Sequence, residues 1–397
     1  MPPRHPIILQ IIPRLDTGGA ERTTVEIAQS IVTAGGRAIV VSDGGRMLPQ
    51  VAKVGGEVIE LRAASKNPAV MTGNGLVLRR IIRTEKVDLI HARSRAPAWS
   101  ALMAARMTGI PFVTTYHGAY AESGALKRTY NSVMARGDVV IANSRYTADL
   151  IRNRYGTPED RIRVIHRGLD DQFDPQRVSP EKIAQMRAAW GVRPDQRVVL
   201  NAGRLTQWKG QGVLIAAAGL LAERKDLGDW VVILAGDDQG RTGYSDGLRQ
   251  QITSLGLQDR VKLIGHVDDM PTAYMAAHLS VVASTGAEAF GRAAAEAEAM
   301  SCPILATDIG AAPETVRAEP KVGPEQITGW LVPPGDAEAL ARCLDAALRL
   351  SEAERTAIGQ RARAYVMERF TLTAMQQATL KVYDTLLGTN MAQQTQP

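Results

Sequence analysis

Two glutamates eight positions apart, Glu288 and Glu296, stand in TGAEAFGRAAAEAEAMSCP (285–303), a stretch otherwise small and apolar apart from Arg292 and Glu298. Carboxylates in such surroundings are costly to bury without partners. A ligand rich in hydroxyls supplies such partners. The run 279–284 (LSVVAS) predicts a buried strand and 291–300 a helix. Glu288 then falls on the strand-to-helix loop and Glu296 within the helix. Backbone N–H groups at Phe290, Gly291 and Arg292 open that helix, an end suited to a phosphate. Two hydroxyl acceptors thus flank one anion site. The same residues also fit a plainer description: a helix with surface glutamates, of which Glu298 is the third.

Other strand ends carry complementary groups. GRLTQWKGQG follows the run 197–203 and offers Arg204 and Lys209. Arginine grips a diphosphate as a fork and lysine acts as a point charge. Two cations there stabilise charge building on a leaving diphosphate. His117 ends the run 111–117 (PFVTTYH), before Gly118, as a donor or acceptor or as a satisfied structural histidine. His91 also ends a strand, with Arg93 and Arg95 after it. Gly18 and Gly19, after the first strand, let backbone approach a ligand as a helix begins near Ala20 or Glu21, although a plain tight turn fits as well. Asp237 and Asp238 invite a metal reading, but no third ligand stands nearby, so they read as loop and capping residues.

The elements that must position these groups repeat in two series. Short β-branched runs occur at 7–13, 37–42, 57–61, 87–92, 111–117, 138–144 and 161–166. A second series follows at 197–203, 230–236, 260–266, 279–284, 303–308 and 329–333. Helical stretches alternate with them, so the expected class is α/β, with parallel sheets covered on both faces. Two series predict two doubly wound, Rossmann-like domains facing a cleft, with ligands beyond the carboxyl ends of the strands. The polar stretch 166–192 marks the boundary, giving domains at 1–172 and 173–370. A helical run at 371–387 is expected to pack back on the first domain, and residues from about 388 are expected to be disordered.

Composition narrows the class. No apolar run reaches the ~18 residues of a spanning helix, and the start MPPRHPIILQIIP lacks the features of a secretory signal. The two cysteines, Cys302 and Cys343, form neither a disulfide framework nor a metal cluster, so a reducing cytoplasm is expected, with Cys302 in a core. Residues 1–170 carry a net charge of +10 and the remainder −4. A basic first half suits an anionic membrane surface or a phosphorylated acceptor. Nucleic acid is disfavoured, for no zinc spacing, aromatic ribonucleoprotein motif or long basic tract is present. A dehydrogenase is disfavoured too, since no first strand is followed by G-x-G-x-x-G.

Taken together, TGGAE, TYHG, GRLTQWKG, LAGDDQG, LIGHV, the glutamate pair, ATDIGAAPE and TGWLVPPGD, in this order, resemble the GT-B-fold retaining glycosyltransferases of glycosyltransferase family 4. The likeness covers nearly the whole chain. HARSRAPAWSA and FGRAAAEAEAMSCPILATD are similar to bacterial lipopolysaccharide and envelope-polysaccharide enzymes. The resemblance implies a hexosyltransferase using a nucleotide diphosphate sugar, and a glycan or lipid-linked acceptor. It implies front-face displacement in which the leaving phosphate takes the acceptor proton, with no metal or other cofactor. By the same likeness Arg204 and Lys209 hold the diphosphate, Glu296 the ribose and Glu288 the sugar, beside backbone at Phe290 and Gly291. Backbone at His266 and Val267 meets the base, Gly19 the phosphates and His117 the sugar. The expected location is cytoplasmic, with peripheral contact to an anionic inner membrane. Departures from the family pattern are Arg292, Ser301, the alanine of GAAPE that stands where a second glycine is frequent, and Arg167 where asparagine is frequent. A sugar phosphorylase, a sugar-nucleotide epimerase and an inactive sugar-nucleotide scaffold share the fold and stand as alternatives.

Overall fold

A computed structural model describes residues 5–394 except 17, 119, 121–123 and 241. Thr17 of the glycine loop therefore lies outside the described residues. The chain divides into two compact units, 5–168 with 372–394, and 169–371.

The first unit holds seven strands: β1 (Ile7–Ile11), β2 (Arg37–Ser42), β3 (Glu57–Glu60), β4 (Leu89–Ala92), β5 (Phe112–Tyr116), β6 (Val139–Ala142) and β7 (Ile162–Val164). They form one parallel sheet in the order β3-β2-β1-β4-β5-β6-β7. The second unit holds β8 (Arg197–Ala202), β9 (Trp230–Ala235), β10 (Val261–Gly265), β11 (Leu279–Val282), β12 (Ile304–Thr307) and β13 (Gly329–Val332). Their order is β10-β9-β8-β11-β12-β13, again parallel. All thirteen strands fall within the β-branched runs, because strands buried on both faces read as continuous apolar segments.

Each sheet buries both faces. Leu9 and Ile11 of β1 join one core while Ile8 joins the other. In β8, Val198 and Leu200 face one way and Val199 the other. This is the two-residue side-chain period of a strand. Each such buried aliphatic contributes roughly 1.5–3 kcal/mol relative to exposure.

The first unit ends at Gly168 rather than at 172. Leu169 bridges to Thr371 and donates its N–H to the Phe370 carbonyl at 2.8 Å. Leu169 and Phe173 both lie in the core of the second unit, so burial moves the boundary back. The helix Leu372–Leu387 belongs to the first unit, where Met375, Leu380 and Tyr383 are buried. His91 fastens it. Its Nδ1 lies 2.6 Å from Tyr383 Oη and its Nε2 2.7 Å from Thr115 Oγ1, with the ring fully buried. Burial first, then Arg93, pushes this histidine well below its usual range. His91 is thus a structural, neutral histidine. The tail to residue 394 departs from the expected disorder. The Asp384 carboxylate accepts the N–H groups of Met391 and Ala392 at 2.8 and 2.9 Å, and both residues are buried.

Candidate active site

In the second unit β8 and β11 are neighbours, although β9 and β10 separate them in sequence. The strand order reverses between them, which is where open α/β sheets bind ligands. Arg204 and Lys209 follow β8, and Glu288 follows β11. The two loops are stitched together: Thr285 and Gly286 both donate backbone N–H to the Trp208 carbonyl, at 2.8 and 3.2 Å. Gly210, with φ 71°, starts the helix Gln211–Ala222, and a β-carbon there would lie 1.8 Å from the Ala283 carbonyl oxygen. Only glycine permits that approach.

Lys209 Nζ donates to Glu288 Oε1 at 2.8 Å, and Ser284 Oγ donates to the same oxygen at 2.7 Å. The paired side chains are 17% and 11% exposed, so each charge relies on the other. Lys209 also sits over the Trp208 ring, 4.6 Å from its centroid. Glu288 backbone is held in turn. Its carbonyl accepts Ala311 N–H at 3.0 Å, and it bridges to Gly310. Gly310 has φ 67°, and a β-carbon would stand 2.5 Å from the Glu288 carbonyl oxygen.

Glu296 has its own partners. Arg292 Nε donates to Oε1 at 2.7 Å, one helical turn earlier in Arg292–Ala299. Tyr274 Oη donates to Oε2 at 3.4 Å. Burial, then Glu296, keeps the Tyr274 hydroxyl well above its usual range, so it stays a donor. The Phe290 side chain is committed to the core, edge-on to Phe370 at 5.4 Å between centroids. Gly291 caps this helix with φ 82° and no side-chain cap. Arg204 is exposed, with Nη1 3.3 Å from Gln239 Oε1. His266 is exposed at the end of β10, its Nε2 3.1 Å from Asp268, and Val267 is half-buried against the core. These two stand two strands away from β8. Asp238 caps its own loop, accepting from Ser245 Oγ at 2.7 Å and Gly240 N–H at 3.0 Å.

The surface reading of the glutamates fails. Glu288 and Glu296 are largely buried, and Glu298 is fully buried. Burial drives the Glu298 carboxyl well above the usual range, an effect the neighbouring Thr328 side chain offsets only in part.

In the first unit, Gly19 opens the helix Gly19–Thr33 just after Gly18, and His117 follows β5. Arg167, beyond β7, joins them. Its Nη1 hydrogen-bonds to the Gly19 carbonyl and, at 2.6 Å, to Thr23 Oγ1. Its Nη2 lies 2.7 Å from His117 Nδ1. Arg93, after β4, is buried with Nε 3.1 Å from Gln10 Oε1. Burial first, then Arg167, Arg93 and His91, lowers the His117 pKa well below the ordinary value.

Lys209, Glu288, Glu296 and His117 thus have side-chain partners that the sequence alone did not pair with them. The four-residue spacing of Arg292 and Glu296 is a signal that could have found their pairing. Nothing local links Arg167 to His117, fifty positions apart.

Comparison with known proteins agrees with this fold. Residues 17–173 match the family described as Glycosyltransferase Family 4, and residues 182–365 that described as Glycosyl transferases group 1. A solved glycosyltransferase from Rickettsia africae is 34% identical, with 97% of this chain and 100% of that one covered and a TM-score of 0.87. HepE from Anabaena, solved with UDP and glucose, is 26% identical over 96% of this chain and 100% of that one, with a TM-score of 0.81. The curated D-inositol 3-phosphate glycosyltransferase 1 of Catenulispora acidiphila is 30% identical over 248 residues, and the match spans 58% of this chain and 58% of that relative. The chain belongs to the GT-B-fold glycosyltransferases of family 4.

Proposed function

We propose that this protein is a retaining hexosyltransferase, taking its sugar from a nucleotide diphosphate sugar and acting on a glycan or lipid-linked acceptor of cell-envelope polysaccharide, such as lipopolysaccharide core. The observation that carries this reading is the largely buried Lys209–Glu288 pair at the switch point, with Arg204 on the same loop as Lys209. A donor diphosphate takes Lys209 and Arg204 as its cations. Glu288, released from Lys209, accepts hydroxyls of the transferred sugar, beside backbone N–H at Phe290 and Gly291. Glu296 accepts the ribose hydroxyls, and backbone at His266 and Val267 meets the base. Gly18 and Gly19 let the first unit's backbone approach the phosphates, and His117 meets the sugar.

The reaction breaks the bond between the anomeric carbon and the phosphate oxygen. The acceptor oxygen forms its bond on the same face, and its proton passes to the departing phosphate oxygen. Neither glutamate is then a nucleophile or a general base, which fits the cationic partners of both.

Contact with an anionic membrane surface has its own support. A groove of about 430 Å³ in the first unit is lined by Lys66, Met71, Trp99, Met103, Leu126 and Tyr130, among others. Leu126 is 90% exposed, and Lys127 and Arg128 follow it in the helix Ala125–Asn131. Apolar side chains beside cations suit a lipid surface. Among the described residues no helix is long and apolar enough to cross a membrane.

The test is thermal stability against a panel of UDP- and GDP-sugars, since a ligand of the folded state raises its melting temperature. One nucleotide sugar is expected to stabilise the native protein, and Glu296→Ala to lose most of that shift while remaining folded. Stabilisation by none, or an undiminished shift in Glu296→Ala, overturns the donor assignment. Salt-sensitive flotation with anionic liposomes checks the membrane contact, and no binding at low salt removes it.

A further inference from the structure

We propose that Arg167 is a positioning residue that fixes His117 in the neutral tautomer bearing its proton on Nε2, so that the ring meets the sugar as a hydrogen-bond donor. This rests on the reading above that His117 contacts the transferred sugar.

A guanidinium has five donors, no acceptor, and keeps its charge throughout the working pH range. Its Nη2 stands 2.7 Å from His117 Nδ1. Nδ1 must therefore accept, so it carries no proton. The remaining question is whether the ring carries one proton or two, and a doubly protonated ring would place an N–H against an N–H. Burial opposes the charged ring as well, and so do the neighbouring cations Arg167 and Arg93. The ring is neutral, and its single proton sits on Nε2.

Arg167 cannot easily turn away to allow another arrangement. It is 7% exposed, and its Nη1 is held by the Gly19 carbonyl and by Thr23 Oγ1. One side chain thereby fastens the ring to the first turn of the glycine-loop helix. The other ring nitrogen, Nε2, is buried and has no hydrogen-bond partner among the described residues. A buried N–H without an acceptor is unfavourable, and a sugar hydroxyl oxygen supplies one. The arrangement excludes His117 as the base that takes the acceptor proton, because the free nitrogen already bears a proton and the other is occupied. It agrees with proton transfer to the leaving phosphate.

Nitrogen-15 NMR of the full-length protein tests this directly, and six histidines make the spectrum tractable. His117 is assigned by comparison with His117→Gln. The native protein is expected to show Nε2–H and an unprotonated Nδ1 from about pH 6 to pH 8, across the range where an ordinary histidine titrates. Arg167→Met is expected to admit the other tautomer and to move the His117 ionisation upward in the pH profile of kcat/KM, part of the way toward the ordinary histidine range, because burial still opposes the charge. Its kcat should fall about tenfold, the effect of one weakened hydrogen bond in the transition state. Arg167→Lys, still a donor without an acceptor, should restore most of both. A native ring protonated on Nδ1, or charged at neutral pH, overturns the proposal, and that measurement needs no variant to fold. An Arg167→Met variant with unchanged tautomer and pH profile overturns it equally. Full transfer activity in His117→Gln would instead remove the sugar contact and leave the tautomer assignment standing.

Discussion

The two units place opposite kinds of partner around their functional groups. In the second, each acidic group of the site is matched to a cation, Glu288 to Lys209 and Glu296 to Arg292. In the first, Arg167 donates to three neutral acceptors, a carbonyl, a hydroxyl and an imidazole, and Arg93 to the Gln10 amide, with Glu26 as a nearby carboxylate. A matched pair can exchange partners when a ligand arrives with its own charges. A cation on neutral acceptors keeps its field and orients what it touches. The second arrangement thus suits capture of a diphosphate and its hydroxyls, and the first suits pre-set geometry.

The two arrangements differ most in their consequences at Lys209. Lys209→Ala removes a cation from the diphosphate and strands the Glu288 carboxylate. Transfer should fall by about 10²–10³-fold, the range for losing one electrostatic stabiliser of a transition state. Stability should fall as well, by roughly 1–3 kcal/mol, less than for a fully buried pair because some solvent reaches both groups. Adding Glu288→Gln should recover the stability and not the activity. Recovery of neither in a denaturant titration would mean that the pair is not what couples these loops.

How far the sequence foretold this arrangement depends on the distance over which the information is local. Strands such as LSVVAS and WVVILA were legible because burial on both faces writes itself into consecutive residues. That Lys209 and Glu288 follow strands was legible as well. Their partners were not, since Lys209 and Glu288 are 79 positions apart and meet only when β8 and β11 become neighbours. Glu298 misled for a different reason. A charged residue next to Glu296 reads as a solvent-facing position, yet it lies on the buried side of the helix, where an apolar residue is the ordinary choice.

A second contrast concerns glycines. Gly310 has φ 67°, with the Glu288 carbonyl where a side chain would begin, whereas Gly73 lies exposed in the helix Pro68–Glu85 of the first unit with open space around it. Gly310→Ala should cost roughly 2–3 kcal/mol and reduce transfer by displacing Glu288. Gly73→Ala should instead stabilise by about 0.5–1 kcal/mol, as expected for an exposed helix interior. Thermal unfolding of the two variants decides this, and destabilisation by both would deny that backbone conformation sets the sign.

The smallest expected effect separates the units by pH. His91 and His117 have lowered pKa values when folded, so the unfolded chain binds more protons and stability is lost as pH falls below about 6.5. His278 of the second unit, brought down to about 4 by burial, acts in the same sense. Glu298 acts oppositely. Its folded pKa is raised, so its contribution is complete below about 4.3 and declines as pH rises toward the folded value. Above about 6.5 the histidine effects are finished, and the buried thiols of Cys302 and Cys343, both raised to about 12, begin to matter only near 8.5. The window from about 6.5 to 8 therefore isolates Glu298. There Glu298→Gln should gain on the native protein as pH rises, because the amide has no proton to lose. A stability difference that stays constant across the window would place the carboxyl in contact with water or a cation, and its burial would then have no electrostatic consequence.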